Sequence, residues 1–351
     1  MRLSGPSMAH RRISSIATVR QDASAFVIAD AHNDLLLELV LRRDEPNPFA
    51  SYWLPKLRAG GVHLQVCALF TGHEPGAPER ADDVLVAFDR LLEENRDDVV
   101  HVRARDDLHQ SDGRIGLVLS MEGVEALDGE PANFERFWDA GVRMVGLTHN
   151  VPNAFAGGIN SPEQGLTPAG RALVDELAER GVVIDLAHAS ERTFFEILER
   201  TPDATVIVSH ACCRAQHDIP RNVSDEQLRA VAERDGLLGI MALALTVGPE
   251  PTIGRFVDHL EHAVGVMGEE HVGLGTDVID QYTEAELAHG IEPNPILIQA
   301  REAGGGRLGL RDFTGPEHFP ALVEAIRARG YGEAVLAGNL TRILERALPD
   351  G

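Results

Sequence analysis

The chain has 351 residues, with 55 acidic against 32 basic side chains and a formal charge of −23 when histidine is neutral. Such a surface repels phosphate backbones and anionic lipid, which argues against nucleic acid or a membrane as partner. A hydrophobic content of 44% and a charged content of 25% are those of an ordinary globular protein, and the length suits two domains or one α/β barrel of about 250 residues or more.

In chain order, residues 1–24 read as a flexible extension. They carry several arginines but no apolar stretch of the kind a secretory signal needs. An apolar run at 27–29 leads into His32 and Asp34, and a second occupies 62–70. Residues 81–94 place Val84, Leu85, Phe88, Leu91 and Leu92 on one helical face. The run 115–121 stops at Glu122, and 142–148 stops at His149. Thr167 caps a helix that starts at Pro168, turns Leu173, Val174 and Leu177 inward and stops at Gly181. The run 182–187 stops at His188, and 205–209 stops at His210. Ser224 and Gln227 form a capping box that opens a helix through Arg234. An apolar run at 237–242, a helix at 253–266 and a run at 272–276 that stops at Asp277 follow. Residues 280–314 carry three successive glycines and little periodicity, and read as a long loop. Helices at 316–329 and 332–347 close the chain.

Eight apolar runs alternating with helices predict a parallel sheet with short connections. The runs are continuous and not alternating, as expected when helices cover their outer face. We therefore expect an α/β fold of the (β/α)8 TIM-barrel type, one catalytic domain over 25–351. A doubly wound open sheet is the alternative. In a barrel, strand C-termini share one mouth, so the six polar run-ends would converge there.

His32 and Asp34 lie two apart on a strand, and imidazole plus carboxylate makes half a Zn²⁺ site. Alone, an H-x-D pair is usually a packing or surface feature. His188 and His210, each directly after a β-branched run, change that reading. Glu122 can bridge two cations through its two oxygens. The set suits two ions, one held by His32, Asp34 and Glu122 and the other by Glu122, His188 and His210. Two metals acidify a shared water, and the resulting hydroxide would attack a carbonyl. Asp277 is then placed to move the proton to a leaving amine, unless it is a helix N-cap or a surface carboxylate. His149 could donate to the developing oxyanion, or be a buried histidine bonded to backbone.

Several motifs in order and spacing resemble the membrane (renal) dipeptidase family of zinc dipeptidases within the amidohydrolase group. They are D-A-H-N-D at 30–34, M-E-G at 121–123, G-L-T-H-N at 146–150, D-L-A-H at 185–188, S-H at 209–210, P-R-N-V at 220–223, G-L-G-T-D at 273–277 and G-N-L-T-R at 338–342. The resemblance implies two Zn²⁺ ions with Glu122 bridging, Asp277 as proton shuttle and His149 near the scissile carbonyl. It also implies a role for Arg221, as the fork that grips the substrate's free carboxylate. It further suggests a homodimer and tolerance of a D-residue at the C-terminal position. Family members often read G-x-D-F-D-G where this chain has G-T-D-V-I-D at 275–280, so the pocket wall after Asp277 is expected to differ.

The expected function is metal-dependent hydrolysis of a dipeptide's amide bond. Hydrolysis of N-acyl amino acids or lactones, or a barrel that holds metal without catalysis, are the alternatives. Cys67, Cys212 and Cys213 form no disulfide framework, the last two reading as thiols packed under the mouth. With no apolar run long enough to span a bilayer, a cytoplasmic protein is expected.

Overall fold

The computed structural model describes residues 26–109, 113–280, 301–302 and 305–351. The expected extension at 1–24 lies outside these residues, as does most of the expected loop at 280–314.

Among the described residues the sheet has nine parallel strands: β1 (Ile28–Asn33), β2 (Val62–Phe70), β3 (Val99–His101), β4 (Ile115–Glu122), β5 (Val142–Gly146), β6 (Val183–Asp185), β7 (Val206–Ala211), β8 (Leu237–Ile240) and β9 (Val272–Leu274). β1 pairs with both β2 and β9, and β2 also pairs with β4, so eight strands close on themselves. That closure decides for the barrel over the open sheet. β3 is the strand missing from the sequence reading. It runs beside only the first residues of β4, and β5 takes over that edge from Leu119 onward. Three residues are too few to show a period.

Inside the barrel, Ala29, Ala31, Leu64, Val66, Val118, Met144, Val183, Ile207 and Leu237 form one buried cluster. The last helix, Asn339–Ala347, adds Leu340, Ile343 and Leu344 to it. A larger cluster fills the layer between strands and helices. Helix starts follow the sequence. Thr167 accepts from the Gly170 amide, and Ser224 and Gln227 make the reciprocal capping box.

Two glycines set how closely the strands approach under the site. A Cβ on Gly275 would collide with the Ser209 carbonyl oxygen and lie 3.2 Å from Gly239 Cα. Gly239 is crowded by the same carbonyl. Both positions are backbone against backbone, so no side chain can yield. We expect Gly275→Ala to cost about 1–3 kcal/mol, seen as a lower Tm in a thermal melt. An unchanged Tm would show that the strands can separate freely here.

Candidate metal centre and active site

The polar run-ends meet at one place. β1 does not keep an even register: its pairing with β2 shifts between Asp30 and Asn33. Such irregularities re-aim side chains. His32 Nε2 lies 3.9 Å from Asp34 Oδ1, 3.7 Å from Glu122 Oε1 and 3.7 Å from Asp277 Oδ1. Asp34 precedes the helix Leu35–Leu41 but does not cap it; Asn33 Oδ1 takes the Leu35 amide instead. The Asp34 carboxylate is thereby left for the site.

Glu122 ends β4, with Oε1 3.0 Å from His188 Nε2 and 3.3 Å from His210 Nε2. The two imidazole nitrogens are themselves 2.8 Å apart. Their tautomers follow from the far side of each ring. His188 Nδ1 lies 2.8 Å from Asn150 Oδ1, which can only accept. His210 Nδ1 lies 2.6 Å from Ser209 Oγ, whose own proton goes to Asp185 Oδ2. Both Nδ1 atoms therefore donate, and both Nε2 atoms turn lone pairs toward Glu122. Lone pairs facing one another and a carboxylate are repulsive unless a cation lies among them. Arg221 Nη2, 3.0 Å from His188 Nε2, is the one donor found there among the described residues. His32 Nε2, Asp34 Oδ1 and Asp277 Oδ1 are buried with no hydrogen-bond partner. This donor set fits divalent metal.

Burial also sets the electrostatics. It holds His188 and His210 well below the usual imidazole range and His32 down to about 3. It lifts Glu122 and Asp34 well above the usual carboxylate range, helped by their neighbouring acids, and Asp277 to about 6.

Two matching clamps lie behind the ligands. Asp185 on β6 accepts the Ser209 amide and hydroxyl on β7, just before His210. Asp30 on β1 accepts the Thr276 amide at 2.8 Å and hydroxyl at 2.7 Å, just before Asp277. Three of the seven described non-glycine residues with positive φ, Asn150, His188 and Asp277, are here. Left-handed backbone is costly for such residues, and clusters where a side chain must be aimed.

All eight residues expected from the sequence come together. The tight groupings of possible ligands are His32, Glu122 and His210; Glu122, His149 and His188; and His32, Asp34 and Asp277. They cut across the two sets expected from the sequence, and each contains His32 or Glu122. Arg221 lines a cavity of about 290 Å³ with Ile159, Pro162 and Leu186, and His188 borders it. Cys212 and Cys213 are fully buried, as expected. The sequence reading missed His73, whose Nε2 lies 3.0 Å from His149 Nδ1, Glu125 beside it and both clamp carboxylates. His73 follows β2 by three residues, and that spacing was its only signal.

The profile of the membrane dipeptidase family, peptidase family M19, matches residues 16–289. An uncharacterized dipeptidase of Schizosaccharomyces pombe is 34% identical over 170 residues, 46% of this chain and 41% of that protein's length. Two solved structures share the fold, each at 22% identity and covering 92% of this chain and 99% of their own. They are dipeptidase AC, a metallopeptidase of family M19, at a TM-score of 0.80, and a metallopeptidase from Rhodobacter sphaeroides liganded with a phosphinate mimic of L-Ala-D-Ala, at 0.78.

Removing a clamp should loosen metal without touching a ligand. We expect Asp185→Asn and Ser209→Ala each to weaken metal affinity by about 10–100-fold, measured by competition with a chromophoric chelator. Affinity unchanged in both would mean that His210 needs no such support. By profile and motif alike, the chain belongs to the membrane dipeptidase family of metallo-dipeptidases.

Proposed function

We propose that this chain hydrolyses the amide bond of dipeptides, using two divalent cations, zinc by resemblance, held by His32, Asp34, Glu122, His188 and His210. The observation that carries the proposal is the set of facing acceptors around Glu122 Oε1, at 3.0 and 3.3 Å from two imidazole lone pairs. Cations bound there would acidify a water and supply hydroxide near neutral pH.

The chain's own groups complete the reaction. Asp277, buried and with Oδ1 unpartnered, is poised to take a proton and return it to the leaving amine. Burial raises its carboxyl above the ordinary carboxylate range, to about 6. His149 lies against His188, with ring centroids 4.5 Å apart, and is assigned to the scissile carbonyl. Arg221 is assigned to the substrate's carboxylate. Among the described residues only its Nη2 is engaged, on His188 and on the His210 carbonyl, so part of its fork remains for a ligand in the adjoining cavity. A carboxylate held one residue beyond the cleaved bond restricts the substrate to dipeptides. The phosphinate mimic of L-Ala-D-Ala in the Rhodobacter sphaeroides structure extends the reading to mixed L,D-dipeptides. A homodimer in the cytoplasm belongs to the same proposal, consistent with three free, buried thiols.

The deciding assay is hydrolysis of a dipeptide library by zinc-loaded protein. Opening of lactones or N-acyl amino acids with every dipeptide intact would sink the peptidase reading and leave a barrel hydrolase. Asp277→Asn should keep bound metal and lower kcat by about 10²–10⁴-fold; full turnover would remove Asp277 from the reaction. Arg221→Met should cost about 2–5 kcal/mol in binding, read as KM, for substrates with a free C-terminal carboxylate and not for their amides. Equal losses for both would contradict the clamp.

A further inference from the structure

Arg221 reaches the site from residues 212–223, the loop between β7 and the helix Asp225–Ala232. The two ends of this loop pair with each other. The Val223 amide donates to the Cys212 carbonyl at 2.9 Å, and the Arg214 amide to the Val223 carbonyl at 2.8 Å. The loop is also fastened to another part of the barrel, the short helix Ala244–Val247 that follows β8. The last carbonyls of a helix have no partner within it, and here two are taken from outside. Asn222, buried next to Arg221, donates from Nδ2 to the Thr246 carbonyl at 2.9 Å and to the His217 carbonyl of its own loop at 2.8 Å. His259, fully buried on the helix Ile253–Met267, lies with Nε2 3.1 Å from the Val247 carbonyl, and its Nδ1 takes the Cys213 amide at 3.0 Å. Gly248 ends the short helix at a φ of 95°, and a Cβ there would come within 2.8 Å of the His217 ring.

Each of these partners allows one role. A backbone amide only donates and a carbonyl only accepts, so both hydrogens of the Asn222 amide are in use and His259 carries its proton on Nε2. The two side chains thus join the start and the end of the Arg221 loop to adjacent carbonyls of one helical turn. A guanidinium fork grips a carboxylate through two parallel bonds, and a small rotation or shift loses one of them. Arg221 itself is restrained at the site through Nη2 alone, on His188 and the His210 carbonyl, so the direction of the rest of its fork depends on the backbone behind it. We propose that Asn222 and His259 are positioning residues that dock the loop on the helix Ala244–Val247 and so aim Arg221 at the substrate's carboxylate. This rests on the dipeptidase reading for the carboxylate, but the docking of the loop is a property of the protein alone.

Substitutions at both positions separate docking from bulk. Asn222→Leu keeps the approximate shape and removes both donors. His259→Leu removes a donor and an acceptor, and His259→Gln restores one of each at a similar separation. With zinc-loaded, full-length protein, N222L and H259L should each raise KM for free-acid dipeptides about tenfold, with kcat and bound metal within about twofold of the parent. KM for the corresponding C-terminal amides should not change, and H259Q should recover most of the loss. In an R221M background neither substitution should raise KM further, since both act through Arg221. Where a leucine variant does not fold, Asn222→Ser, smaller and polar, carries the same expectation. Hydrogen exchange read by mass spectrometry needs no substrate: residues 212–223 should exchange about tenfold faster or more in the leucine variants and return toward the parent in H259Q. An unchanged KM, equal rises for acid and amide, losses that multiply in the R221M background, or unchanged exchange would each overturn the proposal. If the parent cleaves no dipeptide, the functional reading fails, while exchange still decides whether the two side chains dock the loop.

Discussion

The structure turns on an electrostatic conflict that the fold itself creates. Three carboxylates and three imidazoles are driven together at the barrel mouth, away from water, with His188 and His210 oriented as acceptors. Burial disfavours the charged form of every one of these groups, raising the acids and lowering the histidines, so charge at this place needs a compensating cation. Arg221 supplies one fixed positive charge at its edge. A buried cluster of this composition is unfavourable until cations enter it, and the free energy of metal binding then adds to that of folding. The closed sheet, the left-handed residues and the clamps serve to hold groups where they would not otherwise stay.

Much of this was readable from the chain. Apolar runs ending in His or an acid marked the strand ends, because a parallel barrel strand is buried on both faces and its polarity changes only at the mouth. That rule located His32, Asp34, Glu122, His149, His188, His210 and Asp277 before any geometry. It worked less well for boundaries. Runs predicted to reach Thr148, Ala187 and Thr276 leave the sheet at Gly146, Asp185 and Leu274, because the chain must turn early to aim the ligands. β3 was invisible because it is only three residues long.

The residues that sequence reasoning missed share a cause. Asp185, Ser209, Asp30 and Thr276 lie inside recognisable motifs, yet their roles depend on which strand neighbours which. β6 beside β7 and β9 beside β1 are facts of closure, and no local spacing contains them. His73 and Glu125 are 52 residues apart and meet only because β2 and β4 are paired. Arg221 was legible only by resemblance, since a loop residue carries no period. The division of ligands between two ions stays an expectation from spacing and resemblance; the tight groupings of side chains each share His32 or Glu122.

The paired clamps have a consequence for how such a site could be moved or inherited. In each, a carboxylate on one strand fixes the backbone amide and hydroxyl that immediately precede a site residue on, or just past, the next. The accuracy of His210 and Asp277 therefore resides in a neighbouring strand. A designer who grafted the site residues onto another barrel would transfer the chemistry without its aim. The smallest portable unit is a pair of adjacent strands, hydroxyl and carboxylate included, and recombination that splits such a pair would leave every site residue in place and the site out of true.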